Sequence, residues 1–277
     1  MTIKPSKVAL VTGANGGIGL ATLRALKDAG FVAVGAARRE EGLEAIRTDG
    51  FPAVRIDVTD DQSMQEGVAE VDRVAGRIGV LVNNAGYGLA GPVELLDMDD
   101  LRTQFETNVF GLVRMCQLVL PAMREGSAGR IINISSVGGE LTLPGEGAYH
   151  ATKYAVESFS DALRVEVGQF GVKVVLVQPT GVRTNFFDTI AATATGREEG
   201  AYKPLMDGWR KLFGQVASGP GLVEPEAVAR VIVKAATSAN PAARYKAGWS
   251  AAVLTGTRSV MPDRAWDFGL RKMLGVS

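Results

Sequence analysis

Short apolar runs alternate along the chain with longer stretches in which apolar residues recur at helical spacing. The runs are KVALV (7–11), FVAVGAA (31–37), AVRIDV (53–58), VLVNN (80–84), RIINIS (130–135) and VKVVLVQ (172–178). Their shortness and continuous hydrophobicity predict strands buried on both faces, as parallel strands are. Between them, 18–29, 61–76, 99–124 and 148–169 predict amphipathic helices. Strand–helix alternation sustained this long predicts an α/β fold, a doubly wound parallel sheet with helices on both faces and right-handed crossovers. From about Asn185 the rhythm breaks, and 185–224 mixes Thr, Gly, aromatic and charged residues. EPEAVARVIVKAA (224–236) resumes as a helix with proline in its first turn, and ARYKAG (243–248) predicts a short final strand. With no internal repeat, low-complexity tract or linker, 1–277 reads as a single domain with a covering segment at about 185–224.

Composition narrows the chemistry. Lys+Arg and Asp+Glu are both 30, so no net basic field invites nucleic acid or an anionic membrane. Cys116 is the only cysteine and His150 the only histidine, which excludes an intrachain disulfide and a Cys/His metal cluster, so no metal is expected. The N-terminus has too short an apolar run for a signal peptide, and no later run reaches about 18 apolar residues. The expectation is a soluble, cytoplasmic protein acting on a small molecule.

After the first strand comes TGANGGIG, Thr12 to Gly19, opening an amphipathic helix. Glycines 13, 17 and 19 allow a tight strand-to-helix turn, and the new helix offers free N–H groups and a positive dipole end to a pyrophosphate. Further on, AYHATKYA (148–155) places Tyr149 four residues before Lys153, on one helical face. A free phenol titrates near pH 10, and lowering that by about three units takes roughly 4 kcal/mol. A lysine in a desolvated cleft beside an oxidised nicotinamide could supply it; an exposed neighbour could not.

These motifs resemble the short-chain dehydrogenase/reductase (SDR) family. TGANGGIG is similar to its TGxxxGxG turn and NNAG (83–86) to its post-strand motif, while Asn108 in NVFG, Ser136 in NISS and Tyr149/Lys153 in YHATK complete the series over most of 7–184. The resemblance implies a Rossmann-type sheet of about seven strands. It implies that Tyr149 is the general acid/base, that Lys153 lowers its pKa and holds the nicotinamide ribose, that Ser136 stabilises the substrate oxygen, and that Asn108 fixes a proton-relay water. It further implies cofactor contacts from Thr12, Gly13, Asn15, Gly16, Gly17, Ile18 and Gly19, from Asp57 and Val58 at the adenine, and from Asn84, Ala85 and Gly86. QPTGVRT (178–184) is similar to the family's P-G-x-x-x-T, which adds Pro179, Val182 and Thr184, although Thr180 replaces the usual glycine.

The end of the second strand bears on cofactor choice. NAD users place an acid there for the ribose 2′-hydroxyl. Here GAARRE gives Ala37 followed by Arg38 and Arg39, which suits a 2′-phosphate and points to NADP(H). Gly16 stands where many NADP-preferring relatives carry a basic residue, so NAD(H) stays open. In the covering segment Phe186, Phe187, Leu205, Met206, Trp209 and Phe213 either line an apolar substrate site or pack the segment onto the protein.

His150 and Cys116 read as structural. NNAGYGLAGPVE (83–94) is similar to hydroxysteroid- and retinol-dehydrogenase-like carbonyl reductases. The expected reaction is hydride transfer to or from a carbonyl or secondary alcohol; an acyl-thioester reductase and a non-catalytic cofactor sensor are the alternatives. The resemblance also implies a homodimer or homotetramer joined through helices near 99–124 and 148–169.

Overall fold

The computed structural model describes residues 6–197, 200–219 and 221–276. Seven strands, β1 (Val8–Val11), β2 (Val32–Ala37), β3 (Ala53–Arg55), β4 (Ile78–Asn83), β5 (Gly129–Ile134), β6 (Val172–Pro179) and β7 (Arg244–Ala247), form one sheet. Their order is β3-β2-β1-β4-β5-β6-β7, and every neighbouring pair is parallel. This is the Rossmann order, with the chain reversing direction across the sheet between β1 and β4. The three central strands β1, β4 and β5 are buried along their whole length because helices cover both faces.

Alternate side chains feed two cores. Leu10, Leu81, Ile131 and Leu176 point to one, with Met64 of α3 (Asp61–Val74), Met115 and Val119 of α5 (Gly111–Glu125), and Val156 of α6 (Gly147–Gly168). Val11, Val80, Val82, Ile132 and Val175 point to the other, with Leu23 and Leu26 of α1 (Gly17–Asp28), Ile46 of α2 (Glu40–Thr48), and Val228 and Ile232 of α9 (Pro225–Thr237). A third cluster, Ala90, Ile190, Ala194, Met206, Trp209 and Leu274, anchors the covering segment.

The structure departs from the sequence expectations in four places. The nine-residue helix α2 was absent from the predicted pattern because its buried Leu43 and Ile46 give less than two turns of periodicity. The continuous helix expected over 99–124 is interrupted: α4 (Met98–Phe105) passes through a π turn at Glu106–Phe110 before α5. The segment 185–224 is mostly helical, as α7 (Phe186–Thr193) and α8 (Lys203–Ser218), its apolar residues packing on the third cluster. Two further helices, α10 (Trp249–Val260) and α11 (Asp263–Leu274), follow β7. No described helix is long and apolar enough to cross a membrane.

Candidate active site

Parallel strands joined by crossovers open a crevice beyond their carboxyl ends where the order reverses, here at β1 and β4. The turn from β1 into α1 lies there. Gly13 (φ 60°) and Gly17 (φ 49°) are left-handed, and a Cβ on them would stand 2.9 Å from Ala85 Cα and 2.8 Å from Thr184 Cγ2. Gly16 borders open space, and no side chain caps α1. The first-turn N–H groups and the dipole of α1 are therefore free for an anion.

Thr12 and Gly19 stand behind this opening rather than on it. Thr12 is buried, and its Oγ1 accepts from the backbone N–H groups of Asn84 (3.0 Å) and Ala85 (3.1 Å). Asn84 Nδ2 donates to the carbonyls of Thr12 and Gly13, both at 2.9 Å. A Cβ on Gly19 would fall 2.4 Å from the Gly13 carbonyl oxygen, so that glycine serves turn packing. Gly13, Asn15, Gly16, Gly17, Ile18, Asn84, Ala85 and Gly86 line the cleft.

At one end of the cleft lie Arg38, Arg39, Asp57 and Val58, and Ala37 is buried at the end of β2. Among the described residues neither arginine is in an ion pair. Asp57 Oδ1 accepts from the N–H (3.0 Å) and hydroxyl (2.8 Å) of Thr59.

At the centre, β5 and α6 bring Ser136, Tyr149 and Lys153 together on the lining. Lys153 Nζ donates to the Ile134 carbonyl at 2.9 Å and stands 5.7 Å from the centre of the Tyr149 ring. Ser136 Oγ accepts from the N–H of Gly138 at 3.0 Å. Asn108 sits one layer behind, inside the π turn, a local irregularity that often marks functional sites. Its Oδ1 accepts from Tyr87 N (3.0 Å), and its Nδ2 donates to Tyr87 O (2.8 Å) and Thr152 Oγ1 (3.1 Å). A Cβ on Gly86 would stand 3.0 Å from Asn108 Oδ1 and 3.9 Å from Lys153 Nζ, so glycine keeps both within reach of the cleft.

Burial dominates the electrostatics here. It raises the Tyr149 phenol, against a hydrogen bond with Ser136 that lowers it, and nearby Glu146 raises it further. Burial also lowers the Lys153 ammonium to about 8, opposed by the charge of Glu157 one turn on. Without another positive charge nearby, Tyr149 is held as the neutral acid at neutral pH.

Pro179, Val182 and Thr184 line the cleft after β6. Beyond them aromatic and aliphatic side chains predominate in the lining, and the whole cleft encloses about 1910 Å³. Phe186, Phe187, Trp209 and Phe213 face it, whereas Leu205 and Met206 pack into the third cluster. The sequence assigns none of three further groups to the site, and His150 reads there as structural. Glu146 and His150 line the same region, and Glu157 binds Gln178 Nε2 (3.0 Å) and Arg244 Nε (2.9 Å) behind Lys153. Only the i+4 spacing from Lys153 to Glu157 could have indicated the last. Cys116 is buried beside Asn83, its thiol pushed up to about 12 by burial.

Residues 7–195 match the family model of the short chain dehydrogenases. The chain is 35% identical over 268 residues to the 3-ketodihydrosphingosine reductase of Bacteroides thetaiotaomicron, covering 96% of this chain and 97% of that one. It is 32% identical over 276 residues to the NADPH-dependent 3-dehydrocapnine reductase of Ornithobacterium rhinotracheale, covering 94% of this chain and 95% of the relative. The crystal structure of an SDR from Burkholderia phymatum in complex with NAD is similar, with a TM-score of 0.80 and 25% identity over 94% of each chain.

The buried lysine has a measurable consequence. Its pKa falls from 10.5 to about 8 on folding, so between those values the unfolded chain binds more protons and the lysine's contribution makes stability rise with pH. Tyr149 does not oppose this below pH 10, since its pKa is raised on folding. Lys153→Met should therefore be more stable than the parent near pH 7, and the gap should shrink toward pH 10. Urea midpoints across that range test this; a constant gap would mean that the ammonium is not the source.

Proposed function

Because the chain belongs to the short-chain dehydrogenase family, we propose that it is an NADP(H)-dependent oxidoreductase transferring hydride between the nicotinamide and a carbonyl or secondary alcohol of a largely apolar substrate. The observation that carries this reading is the convergence of Ser136, Tyr149 and Lys153 on a cleft that runs from the open N-terminus of α1 to an aromatic wall. The α1 end fits the pyrophosphate of a dinucleotide, and Gly16, with nothing in front of it, leaves room for one. When bound, the nicotinamide supplies or accepts the hydride.

In reduction, Tyr149 Oη gives its proton to the carbonyl oxygen as the carbonyl carbon gains hydride, leaving a phenolate and an alcohol. Ser136 Oγ steadies the developing negative charge on that oxygen. Lys153 stabilises the phenolate and returns a proton to it, with Asn108 ordering the relay behind. Burial keeps Tyr149 protonated, which favours the acid role and hence reduction. The names of the two reductase relatives, for 3-ketodihydrosphingosine and 3-dehydrocapnine, agree with that direction.

NADP(H) is favoured by Arg38 and Arg39 and by the absence of a carboxylate at Ala37. The NADPH dependence named for one relative supports the same choice. NAD(H) remains usable, because Ala37 neither holds nor repels a 2′-hydroxyl. The molecule is proposed to pair through α5 and α6; the outer face of α6 exposes Phe159 and Val165, and Phe110 is exposed at the turn leading into α5.

Tyr149→Phe should lower turnover with NADPH and a ketone by at least the ~10²–10⁴-fold expected for a positioned acid, with NADPH affinity nearly unchanged. Most of the activity surviving would remove Tyr149 from the reaction. In fluorescence titrations NADPH should bind at least about tenfold more tightly than NADH, and Ala37→Asp should narrow that ratio; equal affinities in the parent would rule out the arginine assignment. Sedimentation at micromolar concentration should give a dimer or tetramer, and a monomer alone would exclude the helix-paired assembly.

A further inference from the structure

Glu146 ends the loop before α6, three residues ahead of Tyr149 and on the same side of the cleft, and it is only 8% exposed. Among the described residues no lysine or arginine pairs with it. One carboxylate oxygen is satisfied: Trp209 Nε1 donates to Oε1 at 3.0 Å. The other, Oε2, has His150 Nε2 as a polar neighbour at 3.8 Å, too far for a hydrogen bond.

The state of His150 follows from its other nitrogen. Nδ1 lies 3.0 Å from the Gly138 carbonyl, which can only accept, so Nδ1 carries the hydrogen. Burial keeps the ring neutral, although the backbone of Gly138 and Leu141 favours the protonated form. Nε2 is then a bare lone pair, buried and without a hydrogen-bond partner. The buried Nε2 thus faces a carboxylate oxygen with no side-chain donor between them among the described residues, and a buried nitrogen left unpaired costs free energy until a donor is supplied.

A hydroxyl has one hydrogen and serves only one of these acceptors. A primary ammonium has three N–H donors, reaches both, and adds charge-assisted pairing with the carboxylate. What surrounds the pair is apolar. Phe186 lies 5.4 Å from the Tyr149 ring, Phe213 stacks on Trp209 at 4.6 Å, and the lining continues along Leu212, Leu270 and Met273. An occupant matched to this lining would be cationic at the end beside Glu146 and His150 and hydrocarbon beyond it.

We propose that Glu146 and His150 form an ammonium subsite, and that the substrate is a long-chain ketone bearing a primary amine close to its carbonyl. This rests on the oxidoreductase reading above for the carbonyl, but not for the amine.

The test compares a long-chain α-amino ketone with the same ketone lacking the amine, by NADPH consumption, in the parent and in Glu146→Gln. Glutamine keeps the shape and can still accept from Trp209. The parent should favour the amino ketone at least about tenfold in kcat/KM, and Glu146→Gln should bring that ratio close to one. A parent ratio near one overturns the subsite, as does a ratio that Glu146→Gln leaves unchanged; a water bridging Glu146 and His150 would give the first result. Turnover of neither ketone would sink the oxidoreductase reading instead. The subsite is then judged by calorimetry with decylamine and decanol: tighter amine binding in the parent, abolished by Glu146→Gln, sustains it, and equal binding overturns it.

Discussion

The geometry of the cleft depends on how the ends of β1 and β4 are tied where their crossovers diverge. Parallel strands leave their terminal peptide groups pointing into the crevice, and something must satisfy them without filling it. Thr12 and Asn84 do this reciprocally, the Thr12 hydroxyl accepting from the Asn84 and Ala85 N–H groups and the Asn84 amide donating to the Thr12 and Gly13 carbonyls. The bonds hold the glycine turn against the β4 loop from behind. They leave the α1 N–H groups and the Gly16 surface open in front. Replacing either side chain by an apolar one would strand buried backbone groups at the point where the anion opening is formed.

Helix α6 carries that order to the centre. Its buried face is tied to the sheet by polar bonds, from Asn133 to Ser160 (2.9 Å) and from Lys153 to the Ile134 carbonyl (2.9 Å), with Asn133 itself held by Asn83 of β4 (2.9 Å). These fix the rotation of the helix, and so decide that Tyr149 and Lys153 face the cleft. Further along, Glu157 accepts from Gln178 and Arg244, which holds a negative charge behind the ammonium. Lys153 therefore sits between two opposing influences, burial that strips its proton and Glu157 that keeps it, and burial prevails.

The parts of this arrangement that a sequence can carry are those set by neighbours in the chain. Six strand cores were legible because each is a short, mainly apolar run, and the glycine turn because its spacing follows a strand and opens a helix. The Tyr149–Lys153 pair was legible because i and i+4 share a helical face. Helix α2 lacked the length to show periodicity, and the π turn at Glu106–Phe110 inserts one residue that no hydrophobic pattern records. The placement of Thr12 and Gly19 behind the opening depends on Asn84 and Gly13 packing across strands, which spacing along one motif cannot reveal. Glu146 and Trp209 are 63 residues apart and meet only because the covering segment folds as helices onto its own small core.

That last contact links substrate chemistry to proton chemistry. Glu146 raises the Tyr149 pKa through its negative charge, so in the absence of a cation it makes proton release from the phenol harder. Burial raises the Glu146 pKa as well, with the Trp209 indole opposing it. An ammonium seated between Glu146 and His150 would cancel the carboxylate's field at the phenol while keeping the carboxylate ionised. Tyr149 would then be a firm acid in the empty cleft and a readier proton donor once an amine-bearing ketone is in place. The same carboxylate would select the substrate and relax its own hold on the catalytic proton, an economy open only to a buried charge whose partner arrives with the reactant.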